Sequence, residues 1–136
     1  MSVIVNDTGF AADDFTGGFV ALKDGAANDC GYGIDLASDT PPDVLAGLTN
    51  APMIRIDFPS FADGRGFTLA QILRRAGYKG RLRAKGHVIA DQYAMARRSG
   101  FDEIEISADL AKRQPEDQWL ARADWRAHNY QARLRG

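Results

Sequence analysis

Four short segments of this chain alternate charged and apolar residues with a period of two, and that pattern sets the narrowest limit on the fold. Ile54, Ile56 and Phe58 oppose Arg55 and Asp57. Leu82 and Ala84 oppose Arg81, Arg83 and Lys85. Ile104 and Ile106 oppose Glu103 and Glu105, and Ile34 and Leu36 oppose Asp35. A period of two places one set of side chains on each face of a strand. The intervening stretches carry helical spacing, so strands and helices alternate. Short alternating units imply right-handed crossovers and a parallel sheet. Parallel strands covered on both faces are apolar throughout; these are not. The expected fold is therefore α/β, built of repeated β-α units. Its parallel sheet is curved and half-barrel-like, with helices mainly on one face and charges on the other. A bare charged face invites a partner, so a homodimer is expected.

The 136 residues suit a single domain, with 1–32 as an irregular N-terminal arm and 33–136 as the β-α repeats plus a C-terminal helix. The arm is rich in Gly, Asp and Asn, with one weak strand at 18–22, and is expected to be loosely packed or to form a short hairpin. Further strands are expected at 33–37, 53–58, 80–85 and 101–106. Helices are expected after Pro41-Pro42, over 69–76 with Thr68 as N-cap, from about Val88 or Asp91 to Arg98, and from Pro115 onward. In the last helix Leu120, Ala123, Ala127, Tyr130 and Leu134 form the apolar stripe. Trp119 and Trp125 fall on different faces of it, one for the core and one for an interface.

Asp57-Phe-Pro-Ser-Phe-Ala-Asp-Gly-Arg-Gly-Phe67 joins a strand to a helix through a glycine loop. Backbone N–H groups at a helix start, with Arg65 beside them, suit phosphate, sulfate or carboxylate. Ligands of α/β sheets bind at the carboxyl ends of the strands. That rim gathers Asp57, Asp63, Gly64, Arg65, Gly66, His87 and Asp91, with Arg83 on the strand behind it. Asp57 and Asp63 are the candidate bases and Arg65 the anion clamp. Each also has a structural role to fill: Gly64 and Gly66 can supply positive φ, Asp57 can pair with Arg83, and Asp91 can cap a helix. Gly64-Arg-Gly66 is not a dinucleotide fingerprint, because Leu69 stands at the third glycine position.

Cys30 is the only cysteine, which excludes a disulfide within the chain and any multi-cysteine metal or iron–sulfur site. His87 and His128 are the only histidines, so no metal centre is expected and any cofactor is left unidentified. No membrane span or signal peptide is apparent, which places the chain in the cytoplasm. The net charge of −1 conceals a split. Residues 1–64 hold ten acidic and two basic residues, and residues 65–98 hold nine basic and one acidic. The two segments either pair within the fold or steer a charged partner. A pI near 6.1 and the lack of a reader motif disfavour nucleic acid.

The Asp57–Phe67 segment, followed by Gly77-Tyr-Lys-Gly80, Leu82-Arg-Ala84, Asp91-Gln92 and Gly100-Phe-Asp102, closely resembles the bacterial domain of unknown function 934 family. The tail pair Tyr130-Gln131 is similar to that family's ending. The family has no established activity. Its members are commonly encoded beside the hemoprotein subunit of assimilatory sulfite reductase, and many carry an oxidoreductase label inferred from that neighbourhood. The resemblance therefore implies an accessory role in sulfite reduction, binding an oxyanion or docking on the reductase. The alternative is a small enzyme acting on a phosphate- or carboxylate-bearing substrate. The family usually has an acidic residue or Asn at the position of His87 and often Cys at that of Ser99, which weakens a role for either position here.

Overall fold

The computed structural model describes residues 2–15, 18–21, 33–48, 51–60, 62 and 64–123. Among the described residues seven strands form one sheet: β1 (Ser2–Asn6), β2 (Gly9–Ala11), β3 (Phe19–Ala21), β4 (Gly33–Leu36), β5 (Met53–Phe58), β6 (Arg81–Gly86) and β7 (Glu103–Ser107). Their order is β2-β1-β7-β6-β5-β4-β3. From β3 to β7 all neighbours are parallel. β1 runs antiparallel to β7, and β2 antiparallel to β1. The sheet is therefore mixed, which corrects the expectation of a parallel one. The expected strand at 18–22 is present as β3, and the arm holds more regular structure besides. It supplies a hairpin at one edge, possible because an antiparallel pair needs only a tight turn, and a parallel strand at the other.

Strands β4 to β7 lie in chain order, so every right-handed crossover steps the same way and its helix lands on the same face. The connections are a 3-10 helix (Pro42–Leu48), α1 (Arg65–Arg75), and a 3-10 turn (Ala90–Gln92) running into α2 (Tyr93–Ser99). α3 (Ala108–Arg113) and α4 (Glu116–Leu120) follow β7. The core joins the even-numbered strand residues, Ile34, Leu36, Ile54, Ile56, Phe58, Leu82, Ala84, Ile104 and Ile106, to Leu45, Leu48, Phe67, Leu69, Leu73, Tyr93 and Trp119. The period-two pattern thus separates a helix-covered face from a charged one.

Several boundaries differ from the sequence expectation. α1 begins at Arg65, with Gly64 as N-cap, so Thr68 lies inside the helix. Gly66 is the reason the first turn fits. A Cβ there would sit 2.4 Å from the Phe58 ring, so only glycine lets the turn press onto that ring. In α4 it is Trp119 that is buried, its indole N–H donating to the Gln114 carbonyl at 2.8 Å, while Leu120 faces outward. Trp125, Ala127, Tyr130, Gln131 and Leu134 lie outside the described residues.

Gly86 ends β6 with φ +116°, and a Cβ there would meet the Phe58 carbonyl oxygen at 2.6 Å. Gly86→Ala should therefore lower stability by about 1–3 kcal/mol through backbone strain, and by more through the contact. Urea denaturation of the variant checks this.

Candidate functional site

The carboxyl ends of β4, β5 and β6 form one rim. Phe58 ends β5, and its carbonyl accepts the His87 N–H at 2.9 Å; the His87 Nδ1 lies 3.3 Å from the same oxygen. The positive φ of Gly86 turns the chain toward that carbonyl and holds the ends of β5 and β6 together. Arg65 stands at the first position of α1 and donates from Nη2 to the Ser38 hydroxyl, just past β4, at 3.1 Å. Ser38 is buried and fixes the direction of the guanidinium. Arg65, His87 and Asp57 thus come to adjacent strand ends, with Gly64 and Gly66 flanking Arg65.

Neither Gly64 nor Gly66 has a positive φ, so that role falls away. The Phe67 N–H donates to the Gly64 carbonyl at 3.2 Å, which closes the first turn. Asp57 is exposed and lies opposite Lys85 in register, whereas Arg83 lies opposite Arg55 and Glu103. The expected Asp57–Arg83 pair is therefore absent: the parallel register sets them two residues apart along the strands. Asp91 lies in the 3-10 turn after Ile89, the N-cap, and pairs with Arg122 at 2.7 Å. Asp63 lies outside the described residues.

Arg83 is not at the rim. Its side chain is fully buried on the charged face, where it makes four hydrogen bonds, all to carboxylates. Nε donates to Glu103 at 2.6 Å, Nη1 to Glu105 at 2.9 Å and Asp13 at 3.1 Å, and Nη2 to Asp13 at 3.0 Å, while Nη2 also lies in ion-pair contact with Glu103. Arg55 reaches Asp35 at 2.6 and 2.9 Å and Glu105 at 3.0 Å. Arg81 reaches Glu103 and Asp14, each at 2.8 Å. The arm completes this layer, with the Phe19 ring 3.6 Å from the Arg55 guanidinium carbon. The charged face is therefore covered over Arg55 and Arg83, while Arg81 stays partly exposed.

The charge split resolves in the same way. Asp7 pairs with Arg97, Asp13 with Arg83 and Asp14 with Arg81, so acids of the first segment meet bases of the second. Arg74 is also structural, donating to the carbonyls of Tyr78, Gly80 and Gly100 and to Asp102. Arg75, Lys79 and Arg98 stay exposed with no ion pair among the described residues. Burial pushes the Tyr93 hydroxyl up, and the carboxylate of Asp7, to which it donates, adds to that shift. The sequence pattern marked the charged face. It gave no pairing partners, because those depend on register and on where the arm runs.

The chain belongs to the family described as "Bacterial protein of unknown function (DUF934)", which matches residues 33–136. No curated protein and no solved structure matches it. The matched region begins at β4, so β1 to β3 precede it. Among the described residues no group of three or more His, Cys, Asp or Glu is placed to hold a metal ion, and no helix is long and apolar enough to cross a membrane.

The Arg83 guanidinium holds the Asp13 carboxyl below its ordinary 3.8. Burial alone would raise Glu105, but hydrogen bonds from Arg83 and Ser2, with the Arg55 charge, outweigh it and hold Glu105 below its ordinary 4.5. Both depressed carboxyls bind protons less readily in the folded state than in the unfolded one. The stability they contribute is complete above the ordinary values and is lost as pH falls through the lower folded ones. Melting temperatures should hold level down to about pH 5 and fall below about pH 4. Arg83→Ala leaves buried carboxylates without their counter-charge, and should cost about 3–5 kcal/mol in urea denaturation at neutral pH.

Proposed function

We propose that this protein is an oxyanion-binding accessory protein of assimilatory sulfite reduction, using the rim around Arg65. The observation that carries the reading is the Arg65 guanidinium, steered by buried Ser38 at the first turn of α1 where three strand ends meet. A fixed guanidinium beside the positive end of a helix dipole suits a tetrahedral or pyramidal oxyanion. Sulfite and sulfate are such anions, and the family's usual neighbourhood connects the site to them. The exposed Arg75, Lys79 and Arg98 are basic residues available for docking on the reductase. The setting is the cytoplasm, where that reductase works.

Thermal-shift titrations with sulfite, sulfate, phosphate and common nucleotides, run on wild type and Arg65→Ala, test this. An anion at one hundred times its dissociation constant stabilises by about 2.7 kcal/mol. The expected result is a shift in wild type that Arg65→Ala abolishes. No shift with any anion overturns oxyanion binding. Docking is then tested alone, by reversing the charges of Arg75, Lys79 and Arg98 and measuring binding to the hemoprotein subunit.

A second reading rests on Asp57, which is exposed at the rim and outside the ion-pair layer. In a small enzyme acting on a phosphate- or carboxylate-bearing substrate, Asp57 or Asp63 would act as base and Arg65 as clamp. Asp57→Asn should then abolish turnover found in a substrate screen while leaving the melting temperature unchanged; retained turnover excludes Asp57 as the base.

A further inference from the structure

Nearest the rim, the charged face carries the row Asp57, Lys85 and Glu105, opposed in register on β5, β6 and β7. Neighbouring strands stand about 4.8 Å apart, and opposite charges facing each other across them ordinarily pair. This row does not. Glu105 is drawn toward the arginines of the next row: its Oε1 accepts from Arg55 and Arg83, and its Oε2 from Ser2. Asp35, Glu103, Asp13 and Asp14 are engaged by those arginines and by Arg81. Lys85, half-exposed, and Asp57, exposed, make no hydrogen bond or ion pair among the described residues. A cation and an anion on adjacent strands thus stand uncommitted where the ion-pair layer ends and the rim begins.

The Asp57 carboxylate leans toward the end of β6. A Cβ at Gly86 would lie 3.6 Å from its Oδ1, and because position 86 is glycine that flank stays open. The same end of the sheet carries His87 and Arg65, the latter held by Ser38. A carboxylate can only accept hydrogen bonds, and an ammonium can only donate them. A small ligand that satisfies both must present an acceptor and a donor side by side. Among oxyanions at neutral pH, hydrogen phosphate and hydrogen sulfite do so, since each keeps a proton. Sulfate keeps none, and beside Asp57 it sets charge against charge with no proton between them.

We propose that Asp57 and Lys85 complete the anion site at the rim and make it selective for an oxyanion that carries its own proton. Lys85 supplies a second cation beside Arg65, and Asp57 accepts the hydrogen bond from the ligand's proton. This inference rests on the oxyanion reading of the rim and adds to it the residues that tell one oxyanion from another.

Isothermal titration calorimetry at neutral pH with phosphate, sulfite and sulfate tests this on wild type, Asp57→Asn, Lys85→Gln and Arg65→Ala. Wild type should bind phosphate and sulfite about tenfold tighter than sulfate, the effect of one hydrogen bond to a charged group made or left unmade. Asp57→Asn, whose amide can donate, should bring sulfate level with the other two. Lys85→Gln should weaken all three by about tenfold, and Lys85→Arg should keep them. Wild type that binds sulfate as tightly as the others overturns the selection, as does a preference that Asp57→Asn leaves intact. Unchanged affinity in Lys85→Gln overturns its place in the site. Binding that only Arg65→Ala abolishes overturns this inference and leaves the oxyanion reading standing, whereas no binding of any anion by wild type overturns both. Both side chains lie outside the ion-pair layer, so circular dichroism melts should match wild type. Should Asp57→Asn fail to fold, Asp57→Ser, which also can donate, gives the same readout.

Discussion

The buried guanidinium of Arg83 is the constraint on which the rest of the charged face depends. A charge taken wholly out of water is tolerated only when its donors are met and its counter-charges are close. Arg83 meets both demands by drawing on β7 and the arm at once. Glu103 and Glu105 are brought by the parallel register of β6 and β7, and Asp13 by the segment that follows the β1–β2 hairpin. Glu105 in turn is shared with Arg55 and Ser2, which ties β5 and β1 into the same layer. Elements distant in sequence are held in one arrangement because each supplies part of what this one cation requires.

The same network divides the basic residues by role. Arg55, Arg74, Arg81, Arg83 and Arg97 are bound up in the fold by carboxylates and carbonyls. Among the residues presented outward are the rim's Arg65, Asp57 and His87, and the set Arg75, Lys79 and Arg98. The rim owes its shape to two glycines with different duties. Gly66 clears the Phe58 ring so that α1 can begin early, and Gly86 takes a positive φ so that β6 can close over the end of β5. Neither duty is phosphate binding as such, yet together they set the positions from which Arg65 and His87 project.

Much of the fold was legible in the sequence, for a reason that Ile54-Arg-Ile-Asp-Phe58 makes plain. Alternation on a strand reports which face is apolar without reference to any other element, so the strands and the one-sided helices followed. In the arm the strand at 18–22 was legible from its apolar residues and is β3, whereas Ser2–Asn6 was not, because its strand character comes from pairing with β7. The helix start was misread because Thr68 is a good cap by type, while Gly64-Arg-Gly66 enters the helix only through its contact with Phe58. At the candidate site, the sequence placed Asp57, Arg65 and His87 on neighbouring strand ends. It did not place Asp91, which turns to Arg122.

The sequence by itself determined the periodicities: apolar positions in even register along four strands, helical stripes between them, and glycines at the stops. These are local properties, fixed by backbone geometry and the transfer of side chains from water. It also determined that the charges were divided between two stretches of chain. The tertiary structure alone decided which charges meet. Whether Arg83 faces Asp57 or Asp13 depends on a register between strands and on the path of a segment seventy residues away. Coulomb pairing and desolvation act between neighbours in space, and only the assembled sheet makes those residues neighbours.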